Sequence, residues 1–325
     1  MILIVGFERD VHSLALKDML QSKGEESLIV DFSDFPSRME IGFAQVNGCI
    51  KTVLTYKDRK INFDNVRSIF FRRPKEPNVE FVEDPEVREY IMRESDLFLD
   101  SLPNITKCHW VSRPDAIRVS SRKPYQLVAA LGAGLDIPSS VIGNSVVCLR
   151  NFMITLGSCK SLASKPVNRP LSRISENGTA TTFFTQKLKA EEIHPGIDRV
   201  KACPLIFQEY VEKDFELRIT VVRGEVFACA IYSQANEKTR VDWRHYDIPN
   251  TPHKQYELPL NVKEKCIKLV EALGLEFGCI DMIVTPDGRF VFLEINPIGQ
   301  WLWIEELTKM PITESLADLL LDQDS

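Results

Sequence analysis

The sequence lacks the features that mark membrane, secreted and nucleic-acid-binding proteins. No apolar run approaches the roughly 20 residues that a membrane-spanning helix needs. The N-terminal run MILIV is too short for a signal-peptide core and is soon followed by the charged residues Glu8, Arg9 and Asp10, so it does not predict a signal peptide. A formal net charge of -6 provides no basic excess for binding a nucleic-acid backbone. We therefore predict a globular cytoplasmic protein that binds neither membranes nor nucleic acid.

Cysteine and glycine motifs of known function are also lacking. The 8 cysteines contain no CxxC pair and no histidines at zinc-finger spacing, which predicts free, buried thiols in a reducing compartment. Gly6 stands alone after the first apolar run, so the chain has no GxGxxG fingerprint of a dinucleotide site.

The chain has ample length and apolar content for two or three packed domains: 325 residues, 44% of them hydrophobic. Residues 1–117 begin with a strand–helix–strand pattern and predict an open, mostly parallel α/β domain. A helix beginning near Lys123 and several short strands predict a central domain over residues 118–205. Residues 206–325 are rich in strands and predict a C-terminal domain built on an antiparallel sheet.

Polar residues near the end of an apolar hairpin give the first sign of a functional site. The stretch GCIDMIVTPDGRFVFLEIN contains two apolar runs joined by Asp287-Gly288, a strong hairpin signal. A two-residue loop there would place Asp281 opposite Glu294. Because side chains alternate along a strand, Asn296 would lie on the same face as Glu294.

Two facing carboxylates repel each other, and burial would add a desolvation cost. A bound divalent cation removes both costs. Oxygen ligands favour Mg²⁺, which proteins commonly hold through one or two carboxylates together with substrate phosphates. We therefore predict a magnesium site formed by Asp281, Glu294 and Asn296, the alternative being an exposed sheet face.

The chain resembles a known enzyme family at these residues and beyond them. The pattern D…E-x-N on adjacent strands resembles the magnesium site of the ATP-grasp superfamily. The longer string FLEINPIGQWLWIEELTKMPI resembles the microviridin-type ATP-grasp peptide ligases, or graspetide synthetases, and similar segments occur through most of the chain. The resemblance implies an ATP-grasp fold and the cofactors ATP and Mg²⁺.

The resemblance also implies residues that bind the nucleotide. The backbone of FQEYV would recognise adenine, with Glu209, Tyr210 and Val211 beside the base. Glu216 would suit the ribose hydroxyls, and Arg218 the phosphates. Two lysines would reach the phosphates: Lys123, at a helix start, is the first, and Lys160 is predicted as the second, with the nearby Lys165 as a competitor.

Further residues are assigned to catalysis and to the peptide substrate. The segment RVDWR would supply Arg240 and Arg244 near the γ-phosphate and the acyl-phosphate. Arg72 and Arg73, at the end of a predicted parallel strand, could meet a substrate carboxylate, although an exposed basic pair is the alternative. The acidic residues Glu191, Glu192 and Asp198 would dock a leader segment of a precursor peptide, unless they form a solvated acidic helix. The polar segment 161–180 is predicted as a lid loop.

The predicted enzyme is an ADP-forming ligase. It would activate Asp or Glu side-chain carboxylates of a ribosomally made precursor peptide as acyl-phosphates, and close lactone or lactam rings with Thr, Ser or Lys. The alternatives are an ATP-grasp ligase of small molecules and a nucleotide-binding scaffold without catalysis. Whether the new bond is an ester or an amide, and whether the protein forms a homodimer, are left open.

Overall fold

A computed structural model describes residues 1–157, 160–168, 172–174, 180–182, 185–235, 237, 239–240 and 248–322. Within these residues the chain forms α-helices and β-strands grouped into several sheets.

The N-terminal domain is built on a parallel sheet of four strands in the order β2-β1-β6-β7. Its strands are β1 (Ile2–Val5), β2 (Ser27–Val30), β6 (Ser68–Phe71) and β7 (His109–Val111). Two helices connect them: α1 (Val11–Ser22), which begins at the N-cap Asp10, and α2 (Pro85–Ile105), which begins at the N-cap Asp84. The predicted open parallel α/β arrangement is confirmed.

A second sheet in this domain was not predicted. It is antiparallel and contains β3 (Met39–Val46), β4 (Cys49–Tyr56) and β5 (Arg59–Asn62). Its inner residues Met39, Leu54 and Tyr56 share a core with the parallel sheet.

Two short helices, α3 (Pro114–Ser120) and α4 (Lys123–Gly132), lead into the central domain. Its antiparallel sheet has the order β12-β9-β13-β8. The elements are β8 (Ser140–Gly143), α5 (Val146–Leu156), β9 (Leu162–Pro166), β12 (Gln186–Leu188), α6 (Ala190–Ile193) and β13 (Leu205–Glu209). Leu162 and Phe207 pack against α5 and the 3₁₀ segment His194–Ala202, so helices cover one face of this sheet.

The C-terminal domain has a five-stranded antiparallel sheet in the order β16-β15-β14-β17-β18. Its strands are β14 (Phe215–Val222), β15 (Glu225–Ile231), β16 (His253–Gln255), β17 (Phe277–Val284) and β18 (Phe290–Asn296), and its helices are α7 (Leu260–Ala272), α8 (Leu302–Thr308) and α9 (Ile312–Leu321). One face of the sheet, including Leu217, Ile280 and Phe292, packs against α4 and α7. The opposite face is apolar at one end, where Phe277 and Cys279 pack with α9.

The loop between β17 and β18 differs from the predicted two-residue loop. Thr285, rather than Pro286, faces Arg289: the Thr285 amide donates to the Arg289 carbonyl at 3.0 Å, and the loop consists of residues 286–288. Gly288 closes the turn with φ +81°, a conformation that favours glycine. A β-bulge lies further along, because Asp281 pairs with Glu294 whereas Met282 pairs with Phe292. The extra loop residue and the bulge compensate, so the predicted pairing of Asp281 with Glu294 is confirmed.

Two other predictions need correction. Cys49, Cys148 and Cys203 are exposed rather than buried, while Cys229, Cys266 and Cys279 are buried as predicted; Cys159 lies outside the described residues. Within the predicted lid loop, residues 162–166 form β9, and the strands β10 (Ser172–Ile174) and β11 (Ala180–Thr182) pair with each other. Among the residues that the structure describes, no helix is long and apolar enough to cross a bilayer.

Candidate nucleotide and metal site

The predicted metal and phosphate residues share one face of the C-terminal sheet. Side chains alternate between the two faces along β14. Leu217 and Ile219 face the helix-covered core, so Glu216 and Arg218 face the opposite side of the sheet. Pairing between strands places Arg218 opposite Asp281 and Asp281 opposite Glu294. Antiparallel pairing therefore brings residues from three strands into one row.

Arg218 and Asp281 form a buried ion pair at the centre of this row. Arg218 Nη1 donates to both Asp281 carboxylate oxygens, at 3.0 and 3.1 Å. The side chains are only 7% and 14% exposed. Burial alone would lower the pKa of Arg218, but the nearby Asp281 carboxylate outweighs it and raises the pKa. Arg218 therefore stays charged beside Asp281.

Glu294 is paired with Lys123 from the start of α4, through a contact between Lys123 Nζ and Glu294 Oε2. The contact depends on how α4 is attached to β18. Gln126, less than one turn beyond Lys123, is buried. Its side chain accepts from the Ile295 amide at 3.2 Å and donates to the Ile295 carbonyl at 2.8 Å. Gln126 thus bonds to the backbone between Glu294 and Asn296 as a neighbouring strand would.

An open cleft of about 660 Å³ extends beside this row. The predicted adenine-binding residues Glu209, Tyr210 and Val211 line it together with Lys160 and Val291. Val291 lies three positions before Glu294 on β18, a separation of roughly 10 Å in a strand. The carboxylates do not themselves line the cleft, but that spacing suits a nucleotide whose base is in the cleft and whose phosphates point toward them.

Two of the remaining predicted nucleotide residues, Glu216 and Lys160, lie beside a charged partner. Glu216 is buried and bonds to Lys213 through its Oε1 atom. Lys160 pairs with Glu209 at the mouth of the cleft, where the lysine side chain is 54% exposed. Lys165 pairs with Ile206 across β9 and β13, and therefore lies on the sheet face opposite to Leu162 and the helices.

The donor set fits magnesium better than a metal that needs several protein ligands. Within the described part of the chain, no group of three or more His, Cys, Asp or Glu residues could hold a metal ion. Asp281 and Glu294 instead offer two carboxylates, and Asn296 follows on the same face of β18. Mg²⁺ suits this arrangement because it takes few protein carboxylates and completes its octahedron with phosphate oxygens and water.

Comparison with known proteins gives the same fold and points to one group of enzymes. Residues 1–118 match the family described as the MvdD pre-ATP grasp domain. A RiPP-associated ATP-grasp ligase from Chryseobacterium gregarium, solved with ADP and with a leader and core peptide, superposes with a TM-score of 0.90. It is 26% identical, and the match covers 100% of this chain and 97% of that chain. The fold is that of the RiPP-associated ATP-grasp ligases.

Two macrocyclases from Microcystis aeruginosa MRC support this conclusion. MdnC, bound with the precursor peptide MdnA, matches with a TM-score of 0.84 and 25% identity over 98% of this chain and 99% of that chain. MdnB matches with a TM-score of 0.79 and 26% identity over 98% of both chains. Comparison with curated proteins found no match. The predicted ATP-grasp fold and the predicted resemblance to these peptide ligases are confirmed.

Sequence reasoning did not find several residues that support the ATP-grasp site. Gln126 was not predicted, because its partner Ile295 is 169 positions away. Lys213 was also not predicted, although it lies only three positions before its partner Glu216. The loop after Asn296 was recognised only by resemblance. In the structure its Gln300 carbonyl accepts from Arg218 Nη2 at 3.3 Å. Gln126 could have been found from its place on the apolar side of α4, because a buried side-chain amide needs a hydrogen-bond partner.

The four predicted arginines lie in different surroundings. Arg72 is completely buried and contacts the Ile298 carbonyl, whereas the adjacent Arg73 is exposed. Arg240 is also exposed, and its carbonyl accepts from Gln234 Nε2 at 3.0 Å. Arg244 lies outside the described residues.

The predicted leader-docking residues lie on the outer surface of the central domain. Ile193, Ile197 and Val200 on the inner side of this segment are buried, whereas Glu191, Glu192 and Asp198 are exposed. Two of the three acidic residues have local partners. Glu192 accepts from the Lys189 amide at 2.6 Å and caps α6, and Asp198 pairs with Lys201 at 3.0 Å.

Proposed function

We propose that the protein is an ADP-forming ATP-grasp ligase that closes side-chain rings in a ribosomally made precursor peptide. ATP and Mg²⁺ are the cofactors of this fold in related enzymes, which are solved with ADP, Mg and AMPPNP. The ring-forming substrates would be Asp or Glu carboxylates, joined to Thr or Ser hydroxyls or to Lys amines.

The observation that carries this proposal is the charged row on the C-terminal sheet. Two facing carboxylates, Asp281 and Glu294, are each held by a cation, Arg218 and Lys123. Such a row is costly in a merely structural sheet, because every member must be desolvated. It is useful next to a nucleotide-binding cleft, where the carboxylates would bind Mg²⁺ and the cations would bind phosphates in place of their present partners.

Asp281, Glu294 and Asn296 would hold Mg²⁺, which neutralises phosphate charge when bound. Lys123 would exchange Glu294 for a phosphate oxygen, and Arg218 would orient Asp281. Glu216 would accept from the ribose hydroxyls, and the backbone of residues 209–211 would bind adenine. Arg240 and Arg244 would approach the γ-phosphate.

The reaction then has two steps. A peptide carboxylate oxygen bonds to the γ-phosphorus as the bond to the bridging oxygen breaks, which releases ADP and forms an acyl-phosphate. A hydroxyl or amine of the same peptide then attacks the acyl carbon, loses its proton and releases phosphate. The protein contributes chiefly by positioning and by placing positive charge where negative charge develops.

ADP release on addition of candidate precursor peptides tests the function directly. We expect peptide-dependent ADP formation and a peptide mass lower by one water for each ring. ADP formation only with amino acids or other small carboxylates would favour the small-molecule ligase, and nucleotide binding without turnover would favour a scaffold. Light scattering tests the homodimer, which the sequence left open.

Lys165 and Lys160 can be distinguished by their effects on nucleotide binding. Lys165 lies within β9, on the sheet face away from the helices. Lys160 is more than half exposed and already pairs with Glu209, which a phosphate would have to displace. A charge-assisted contact of a partly buried lysine such as Lys165 contributes up to about 1.5–3 kcal/mol, whereas an exposed one contributes about 1 kcal/mol or less. We expect Lys165→Ala to weaken binding of an ATP analogue roughly 10-fold or more by calorimetry, and Lys160→Ala to weaken it less. The opposite order would assign the second phosphate contact to Lys160.

We also propose that the exposed acidic surface of Glu191, Glu192 and Asp198 docks a leader segment of the precursor. An amphipathic leader with a basic residue would match this surface in charge, and tethering would raise the local concentration of the segment to be modified. The related Chryseobacterium gregarium ligase is solved with a leader peptide.

Glu191 is the informative position for testing leader docking, because Glu192 also caps α6. We expect Glu191→Lys to weaken leader binding several-fold at low salt and less at high salt, measured by fluorescence anisotropy. Glu271→Lys on the exposed side of α7 is the matched control. Equal leader affinity in both variants would remove Glu191 from the docking surface, and a parallel loss of ATP binding would indicate misfolding.

A further inference from the structure

Arg72 connects the N-terminal domain to the loop that follows β18 in the C-terminal domain. It is the first residue after β6 and has no exposed surface. Its Nη1 donates to the Ile298 carbonyl, and its guanidinium lies 5.2 Å from the Trp301 ring centre. Its Nε is 3.6 Å from Asp10 Oδ2. One guanidinium thus contacts both ends of the loop 298–301.

The same loop is held from its other side by Arg218. Arg218 Nη2 donates to the Gln300 carbonyl at 3.3 Å while Nη1 binds Asp281. The loop is also tied to Asn296, whose side-chain oxygen accepts from the Ile298 amide at 3.2 Å and whose carbonyl accepts from the Gly299 amide at 3.2 Å. A movement of Ile298 would therefore shift Asn296 directly and Arg218 through Gln300.

The loop has no room to adjust by itself. A Cβ atom added at Gly299 would lie 2.4 Å from Cys279 Cβ and 2.8 Å from Arg218 Nη2. Trp301 is completely buried, and its Nε1 donates to Thr313 Oγ1 at 2.9 Å. The loop is thus packed between the sheet and α9. Because its second half is fixed there, the position of its first half depends on the bond between Arg72 and the Ile298 carbonyl.

Burial makes Arg72 costly as a purely structural residue. Its Nε and Nη2 have no hydrogen-bond acceptor among the described residues, and burial lowers its pKa to about 10, so it remains charged at neutral pH. A buried charge with unsatisfied donors reduces stability. A peptide carboxylate could reach Arg72 only if the loop moved, because no part of the side chain is exposed.

We propose that Arg72 is a positioning residue for the metal site, which it orients through Ile298, Asn296 and Arg218. This role rests on the proposed function, because it presumes that Asn296, Asp281 and Glu294 hold Mg²⁺. Arginine suits the task because its planar fork can bind a carbonyl and face a carboxylate together, which lysine cannot do. Residues that support metal ligands typically change metal affinity by about 10-fold to 100-fold when they are removed.

Magnesium titration of nucleotide binding, without any peptide, tests this role. In Arg72→Met we expect the Mg²⁺ concentration for half-maximal binding of a fluorescent ATP analogue to rise roughly 10-fold to 100-fold. Binding without Mg²⁺ should stay unchanged. Arg72→Lys should recover only part of the effect. Asp10→Asn, which can still cap α1, should give a smaller rise. Arg67→Met, a partly exposed arginine of the same domain that pairs with Glu25, is the control.

Each alternative role has its own outcome. A normal magnesium titration with a raised KM for peptide would overturn the proposal in favour of substrate contact. A lowered melting temperature with a normal titration would overturn it in favour of a structural role. If Arg72→Met does not fold, normal titrations of both Arg72→Lys and Asp10→Asn would overturn it. Nucleotide binding by the unaltered protein that ignores Mg²⁺ would instead refute the proposed function.

Discussion

Replacing Glu294 by glutamine should lower magnesium-dependent ADP formation on the order of 100-fold or more while the protein stays folded. Glutamine keeps the shape of the side chain but removes a charge that faces Asp281 and pairs with Lys123. The proposed magnesium site would lose a carboxylate ligand, and Lys123 would lose its partner Glu294. Because both side chains are partly exposed, the free energy of unfolding should change by about 1 kcal/mol or less.

The measurement is ADP release at limiting and at saturating magnesium, together with urea unfolding followed by circular dichroism. Glu225→Gln, at the exposed start of β15 in the same sheet, is the matched control and should behave as the unaltered protein. Unchanged ADP formation by folded Glu294→Gln at limiting magnesium would argue against the proposed metal site.

Replacing Arg218 by methionine should reduce both stability and turnover. The pair with Asp281 is buried, so removing the cation leaves a desolvated carboxylate, which typically costs about 3–5 kcal/mol. Turnover should fall on the order of 100-fold or more, because the proposed phosphate site would lose a cation. Urea unfolding and ADP release would be measured on the same preparation.

A double variant separates the two effects. In Arg218→Met with Asp281→Asn the buried charge is absent, so part of the stability should return while ADP formation stays low. Arg223→Met is the control for loss of an arginine at the end of the same strand, where the side chain is partly exposed and pairs with Glu276 at 2.8 Å. If Arg218→Met were no more destabilising than Arg223→Met, the buried pair would not be an important part of the folded state.

The elements of the fold follow largely from local sequence patterns. The N-terminal strand–helix–strand unit, the helix that begins at Lys123 and the strands β17 and β18 were all predicted. Their positions follow from side-chain alternation in strands, from helical periodicity and from turn residues, which act over a few neighbours. The sheet of β3, β4 and β5 was missed, because its hairpin is exposed over much of its length and has a weak apolar pattern.

The pairing of Asp281 with Glu294 was predicted correctly although the loop was not. A two-residue loop was expected at Asp287-Gly288, but the actual loop has three residues and a bulge lies between Asp281 and the turn. The compensation kept Asp281 opposite Glu294. It follows that side-chain alternation encoded which face carries the carboxylates, whereas turn geometry and packing determined the number of residues between them.

By itself the sequence determined the facing carboxylates and the resemblance to ATP-grasp peptide ligases, since each is encoded in a short run of residues. Only the tertiary structure decided which cation holds each carboxylate. Lys123 and Glu294 are 171 positions apart, and Arg218 and Asp281 are 63 positions apart. It also decided that Arg72 is buried against the loop 298–301, whereas Arg73 is exposed. Contacts at such separations depend on how sheets and helices pack around a shared core, and no local spacing rule specifies that packing.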